Sequence, residues 1–228
     1  MAFADGPTIR FLAHRVREAA GRPEGALVLL HGRGTDEHDL MPLADAVDPE
    51  RRLVAVTPRA PLTLPGQPGA HWYVVRRVGF PDEATFAPTY ARIAAWLDAL
   101  PQALGVPWSR TVLGGFSQGA AMSFALGFGP DRPAPAGIVA LSGFLPHVPG
   151  HEPRLEGRAG YPVALAHGAA DPVIPVAFAH EARERLLAAG VDLLYRETPG
   201  MGHTIDPAFI PRLRDWLVAR TAPSSTAA

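Results

Sequence analysis

The chain contains 228 residues, 47% of them hydrophobic, and carries a formal net charge of −1 at pH 7. This length favours one domain with a sizeable core, and the balanced charge gives no support for nucleic acid or an anionic membrane as a partner. The sequence has no cysteine, and all 21 of its basic residues are arginine, which excludes disulfides, cysteine metal sites and Schiff-base lysine chemistry.

No segment has the features of a targeting sequence or a membrane span. The first residues lack both the basic start and the apolar stretch of a signal peptide. No run of about 18 apolar residues occurs in the chain. We therefore expect a cytoplasmic protein without a membrane span.

Short apolar runs alternate along the chain with segments of helical spacing. The predicted strands cover residues 8–16, 26–30, 53–56, 111–116, 137–141, 163–166 and 192–198. The predicted helices cover residues 36–47, 90–104, 118–128, 176–189 and 208–220. This alternation predicts an α/β fold in which helices cover both faces of a mostly parallel, doubly wound sheet.

The remaining segments are predicted to be irregular. Residues 58–89 are rich in proline and read as a long loop, and the sequence leaves open whether Pro61 to Pro88 forms a mobile lid or a fixed wall. Asp36, or Thr35 before it, is the expected N-cap of the first helix. We expect residues 1–220 to form a single domain and residues 221–228 to form a disordered tail.

The pentapeptide Gly115-Phe116-Ser117-Gln118-Gly119 follows an apolar, β-branched run and precedes a helix-like segment. This G-x-S-x-G pattern is typical of a nucleophile elbow, a sharp strand-to-helix turn that exposes the serine above the sheet. A serine hydroxyl needs an adjacent base, which in turn needs a carboxylate. Ser117 is therefore the candidate nucleophile.

Asp171 and His203 are the best acid and base downstream of the serine. Asp171 follows a predicted strand in a turn fixed by prolines, and His203 lies in a glycine-containing loop after the last strand. Their order along the chain, serine then acid then histidine, is that of α/β-hydrolases. Each alone could be an ordinary turn or surface residue. The weaker alternatives are His147, His151 and His180 as bases, and Asp131, Glu152, Asp192 and Asp206 as acids.

An oxyanion requires two N–H donors near the serine. The backbone N–H of Gln118 is the first candidate, and the backbone N–H of Arg33, in the glycine loop after an early strand, is the second. His31 and His167 each end a strand immediately before a glycine. We expect them to bind loop backbone rather than a metal, because no other spaced ligand cluster accompanies them.

With these residues in place, the chain resembles the phospholipase/carboxylesterase family of α/β-hydrolases, which includes bacterial carboxylesterases and acyl-protein thioesterases. The resemblance extends from about Leu27 to Trp216. The segments that carry it are 29–37, 114–120, 141–146, 167–175 and 202–203. The acyl-protein thioesterases of the family usually have a hydrophobic residue where Arg33 stands, which argues against a long-acyl protein substrate.

The resemblance implies a serine hydrolase with the triad Ser117, Asp171 and His203, an oxyanion hole at Arg33 and Gln118, and no cofactor or metal. Its expected partner is a small-molecule ester, and a homodimer is left open. Five apolar residues are expected to line the substrate pocket: Trp72, Phe144, Leu145, Val173 and Met201. The alternatives are an acyl thioesterase or lysophospholipase with the same triad, or a non-catalytic binding protein with a hydrolase fold.

Overall fold

The computed structural model describes residues 12–130 and 132–222. The strands are β1 (His14–Arg17), β2 (Gly25–Leu30), β3 (Leu53–Pro58), β4 (Val75–Arg77), β5 (Phe80–Pro81), β6 (Thr111–Phe116), β7 (Gly137–Leu141), β8 (Pro162–Gly168) and β9 (Asp192–Thr198). The α-helices are α1 (Met41–Val47), α2 (Glu83–Leu104), α3 (Gln118–Gly127), α4 (Ala177–Ala188) and α5 (Ile210–Thr221). The predicted strand residues before position 12 and the tail after position 222 lie outside the described residues.

Seven strands form one sheet in the order β1-β3-β2-β6-β7-β8-β9. Every neighbouring pair is parallel except β1 and β3. The buried strands consist mainly of apolar residues because both of their faces are covered by helices. The prediction of a mostly parallel α/β sheet is therefore confirmed.

Alternate residues of β2 belong to the cores on opposite sides of the sheet. Val28 and Leu30 pack in the core that includes α2 and α3. Leu27 and Leu29 pack in the core that includes α1 and α5. The sheet is therefore enclosed on both faces, and its carboxyl edge remains available for a site. None of the described helices is long and apolar enough to cross a membrane.

The first two helices begin at other residues than those predicted from the sequence. Helix α1 begins at Met41, and neither expected N-cap residue caps it. The carboxylate of Asp36 instead accepts a hydrogen bond from the His38 N–H at 2.9 Å and closes a local turn. Helix α2 begins at Glu83, because Asp82 caps the Thr85 N–H at 3.1 Å. Pro88, interpreted as part of a loop, lies inside this helix.

Candidate active site

Ser117 lies at the turn between β6 and α3 with φ 55° and ψ −116°. This left-handed backbone is strained for a residue other than glycine. The two flanking glycines allow it because strand and helix approach closely. A Cβ on Gly115 would lie 2.5 Å from the carbonyl carbon of Gly119, and a Cβ on Gly119 would overlap the Leu30 carbonyl. The residues therefore form the sharp turn that the sequence predicted.

Ser117, His203 and Asp171 form a hydrogen-bonded chain across three loops. The Ser117 hydroxyl lies 2.9 Å from His203 Nε2, and His203 Nδ1 lies 2.6 Å from Asp171 Oδ2. Because an ionised carboxylate only accepts, Nδ1 carries the proton and Nε2 is left to accept from the serine. The side chain of His203 is 16% exposed, whereas that of Asp171 is fully buried. A proton can therefore pass from Ser117 to His203.

The second carboxylate oxygen of Asp171 is held by backbone. Oδ1 accepts the N–H groups of Val173 at 2.8 Å and Ile174 at 2.9 Å. Burial raises the pKa of the Asp171 carboxyl, but the hydrogen bonds from His203 and from these two N–H groups outweigh it. The net pKa lies below the ordinary value. Asp171 is therefore an anion fixed in one orientation.

One predicted oxyanion donor begins the helix after Ser117, and the other lies in the loop after β2. Gln118 is the first residue of α3, and the N–H of a first helical residue has no partner within its helix. Within residues 12–130 and 132–222, no backbone carbonyl accepts a hydrogen bond from the N–H of Gln118 or of Arg33. A Cβ on Gly32 would lie 3.7 Å from the Ser117 Cβ, so the Arg33 loop passes directly beside the serine.

The Gln118 side chain makes a connection that the sequence did not predict. Its Oε1 accepts the backbone N–H of Trp72 at 2.8 Å, and its Nε2 donates to the carbonyl of Tyr73 at 2.7 Å. The indole N–H of Trp72 in turn donates to the His31 carbonyl at 2.8 Å. The long loop is therefore attached at Trp72 and Tyr73 to both the elbow and the β2 loop. Gln118 occupies a variable position of the G-x-S-x-G pattern, and that pattern does not predict such a contact.

The two strand-end histidines bind loop backbone, as expected. His31 Nε2 accepts the Ala60 N–H at 3.0 Å, and His167 Nε2 donates to the Ile174 carbonyl at 2.8 Å. Among the described residues, no three histidine, aspartate or glutamate side chains lie together where a metal ion could bind.

A cavity of about 560 Å³ opens beside Ser117 and His203. Of the five residues expected to line it, Phe144 and Val173 do so. Trp72 does not, because its side chain is fully buried and packs in the core beneath the site. Leu145 packs in the core beside α3 and α4, and Met201 also lies outside the lining.

The lining contains residues that the sequence reasoning missed. The apolar ones come from the long loop, from the hairpin β4–β5, and from segments near positions 40, 116, 174 and 205. They are Leu40, Tyr73, Val75, Val78, Phe116, Ile174 and Ile205. Arg33 and Asp39 add one charge of each sign at the rim. The hairpin strands are only 3 and 2 residues long, so no period-2 pattern could reveal them.

The parallel sheet, the strained serine at its carboxyl edge, and the acid and histidine on later loops define an α/β-hydrolase. The chain belongs to the Phospholipase/Carboxylesterase family, whose family model matches residues 13–220. This is a family of serine hydrolases that includes carboxylesterases and acyl-protein thioesterases.

The similar proteins carry several activity names. The chain is 28% identical over 222 residues to acyl-protein thioesterase 1 of Neurospora crassa, and the match covers 89% of each chain. It is 25% identical over 228 residues to lysophospholipase-like protein 1 of Mus musculus, with 94% of each chain covered. The crystal structure of esterase PE8 superposes with a TM-score of 0.77 at 28% identity, covering 91% of this chain and 98% of that one.

Proposed function

We propose that this protein is a serine esterase that hydrolyses carboxylic esters through an acyl-enzyme. The single observation that carries the proposal is the hydrogen-bonded chain from Ser117 through His203 to Asp171, with distances of 2.9 and 2.6 Å. A hydroxyl paired with a neutral imidazole, which is in turn held by a buried carboxylate, is an activated nucleophile.

In the proposed reaction, the Ser117 Oγ attacks the ester carbonyl while His203 Nε2 takes its proton. The carbonyl oxygen becomes an oxyanion, and the N–H groups of Gln118 and Arg33 donate to it. His203 then gives the proton to the departing alkoxide, which leaves as the alcohol. Water, deprotonated by His203, then attacks the acyl-enzyme, and the bond between the acyl carbon and Ser117 Oγ breaks. His203 returns the proton to Ser117 Oγ, and the carboxylic acid is released. No step requires a cofactor.

The residues that line the cavity support a proposal for the class of ester. The leaving group must lie near His203, which protonates it, and His203 packs against Phe116 with ring centroids 4.8 Å apart. Two charged residues, Arg33 and Asp39, also belong to the lining. Most of the remaining lining is apolar and includes Tyr73, Val75, Val78, Phe144, Val173 and Ile174. We therefore propose that the substrates are esters of a small to medium acyl or aryl group.

The test is hydrolysis of p-nitrophenyl esters from acetate to palmitate by the wild-type protein and by Ser117→Ala. We expect activity that is highest on short to medium chains and absent from the variant. The exposed Ser109→Ala variant is the matched control, and it should keep wild-type kcat/KM. Full activity in Ser117→Ala would contradict the proposal.

An acyl thioesterase or a lysophospholipase with the same triad is the second candidate. The names of the Neurospora crassa and Mus musculus relatives favour it, because both matches span most of this chain. Esters and thioesters with identical acyl chains separate the candidates. A higher kcat/KM for long-chain thioesters or for lysophospholipids would replace the first proposal. If the folded protein hydrolyses no ester or thioester, that result would instead support a binding role.

A further inference from the structure

His167 is a buried histidine that lies directly behind Asp171. Its imidazole ring has no exposed surface and lies near the carboxyl end of β8. Gly168 follows it, and a Cβ there would overlap the carbonyl groups of Met201 and Gly202. The end of β8 is therefore packed tightly beneath the loop that carries His203. The reaction proposed above does not use this imidazole.

The contacts of His167 fix the position of its proton. Nε2 lies 2.8 Å from the carbonyl oxygen of Ile174 and 3.4 Å from Asp171 Oδ2. Both neighbours are acceptors, so Nε2 carries the proton and donates mainly to Ile174. Nδ1 is buried, and none of the described residues forms a hydrogen bond with it. A ring protonated only at Nε2 is neutral.

The environment keeps this ring uncharged. Burial lowers the pKa of His167 and outweighs the opposing effects of the Ile174 carbonyl and of the nearby carboxylates, Asp171 and Glu197. The other titratable group that faces it is His203, whose charge would lower the pKa further. His167 therefore stays neutral when His203 gains a proton, and does not compete for the charge of Asp171.

We propose that His167 is a positioning residue for Asp171, an inference that rests on the function proposed above. His167 holds the carbonyl of Ile174, and the N–H of the same residue donates to Asp171 Oδ1 at 2.9 Å. Its Nε2, whose N–H donates to that carbonyl, lies 3.4 Å from Oδ2, the oxygen that binds His203. One neutral imidazole thus fixes the turn that donates to one carboxylate oxygen and packs beside the other.

The proposal predicts the direction in which the pH profile of kcat/KM should move when His167 is replaced. Without His167, the turn around Ile174 relaxes and Asp171 loses donors, so its carboxylate becomes more basic. A more basic carboxylate stabilises the charged form of His203 more strongly. Because only neutral His203 can accept the serine proton, the acid limb of the kcat/KM profile should move to higher pH.

The experiment compares His167→Met, which has no donor, with His167→Gln, whose amide N–H reaches the position of Nε2. For each folded variant, kcat/KM on a soluble p-nitrophenyl ester is measured from pH 5 to 9. We expect the acid limb of His167→Met to rise by on the order of half a pH unit, and that of His167→Gln to stay near the wild-type position. If His167→Met does not fold, His167→Asn replaces it, because its shorter amide reaches only the position of Nδ1.

Two results would overturn the proposal. One is an acid limb that stays in place in an active variant without the donor, and the other is an equal movement in the Gln variant. A purely structural role for His167 would lower the melting temperature or kcat without moving the limb. Failure of the proposed function would look different, because the wild-type protein would then hydrolyse no ester and Ser117 would not react with a serine-directed probe.

Discussion

The replacement Asp171→Asn tests how the carboxylate controls His203. In the structure, Oδ1 of Asp171 already accepts the N–H groups of Val173 and Ile174. The amide oxygen of asparagine must take that place, because an amide NH2 there would face two donors. The NH2 group is then directed at His203 Nδ1, which can only accept from it. His203 is thereby held with its proton on Nε2, and it cannot accept the proton of Ser117.

This change should reduce kcat/KM by about 10³- to 10⁴-fold, which corresponds to about 4 to 5.5 kcal/mol of transition-state stabilisation. The assay is hydrolysis of p-nitrophenyl butyrate, with the melting temperature measured alongside to confirm folding. Asp192→Asn is the matched control, since Asp192 is half exposed and pairs with Arg220 on the surface at 2.8 Å. Asp171→Asn with activity within tenfold of the wild type would refute the reasoning.

Three further replacements test the elements around the site. Gln118→Met keeps the backbone N–H but removes both side-chain hydrogen bonds to residues 72–73. We expect kcat/KM to fall about 10-fold or more, and the free energy of unfolding, measured by chemical denaturation, to fall by about 1–3 kcal/mol. Unchanged values would show that the loop is held by other contacts. Gly119→Ala places a methyl group against the Leu30 carbonyl and should destabilise the fold by about 1–3 kcal/mol. A melting temperature equal to that of the wild type would contradict this expectation. Hydrogen bonding lowers the pKa of Asp206, so this carboxylate stabilises the fold above its unfolded pKa and the contribution disappears as pH falls through the folded pKa. The stability difference between wild type and Asp206→Asn, followed by denaturation from pH 7 to 2, should therefore shrink towards acid pH, and a constant difference would contradict this sign.

The buried strands could be predicted from sequence because each is a short, mainly apolar run whose two faces are both covered by helices. The run Ala26 to Leu30 lies within β2, and Gly137–Leu141 is β7 as predicted. Helix starts were harder to predict. The start of α2 depends on the cap at Asp82, and burial of Phe86 and other residues extends the helix through Pro88. Propensity alone assigned that proline to a loop, and tertiary packing overrode it.

The site residues on strand ends could be located from sequence because the topology brings those ends together. Ser117 and Asp171 follow parallel strands of one sheet, and His203 follows the last of them. The cavity wall could not be located in this way. Trp72 was expected to face the substrate because it is aromatic and lies in a loop, yet its side chain is fully buried. Which side of a long loop faces the cavity is decided by contacts such as those of Gln118, which no local pattern encodes.

The most direct test of the central claim is covalent labelling of the folded protein with a fluorophosphonate, followed by intact mass measurement and peptide mapping. The account predicts one adduct per chain, located on Ser117. It also predicts loss of labelling in Ser117→Ala and much slower labelling in His203→Ala, which keeps the serine but lacks its base. An unlabelled wild-type protein, or an adduct on another residue, would contradict the claim that Ser117 is an activated nucleophile.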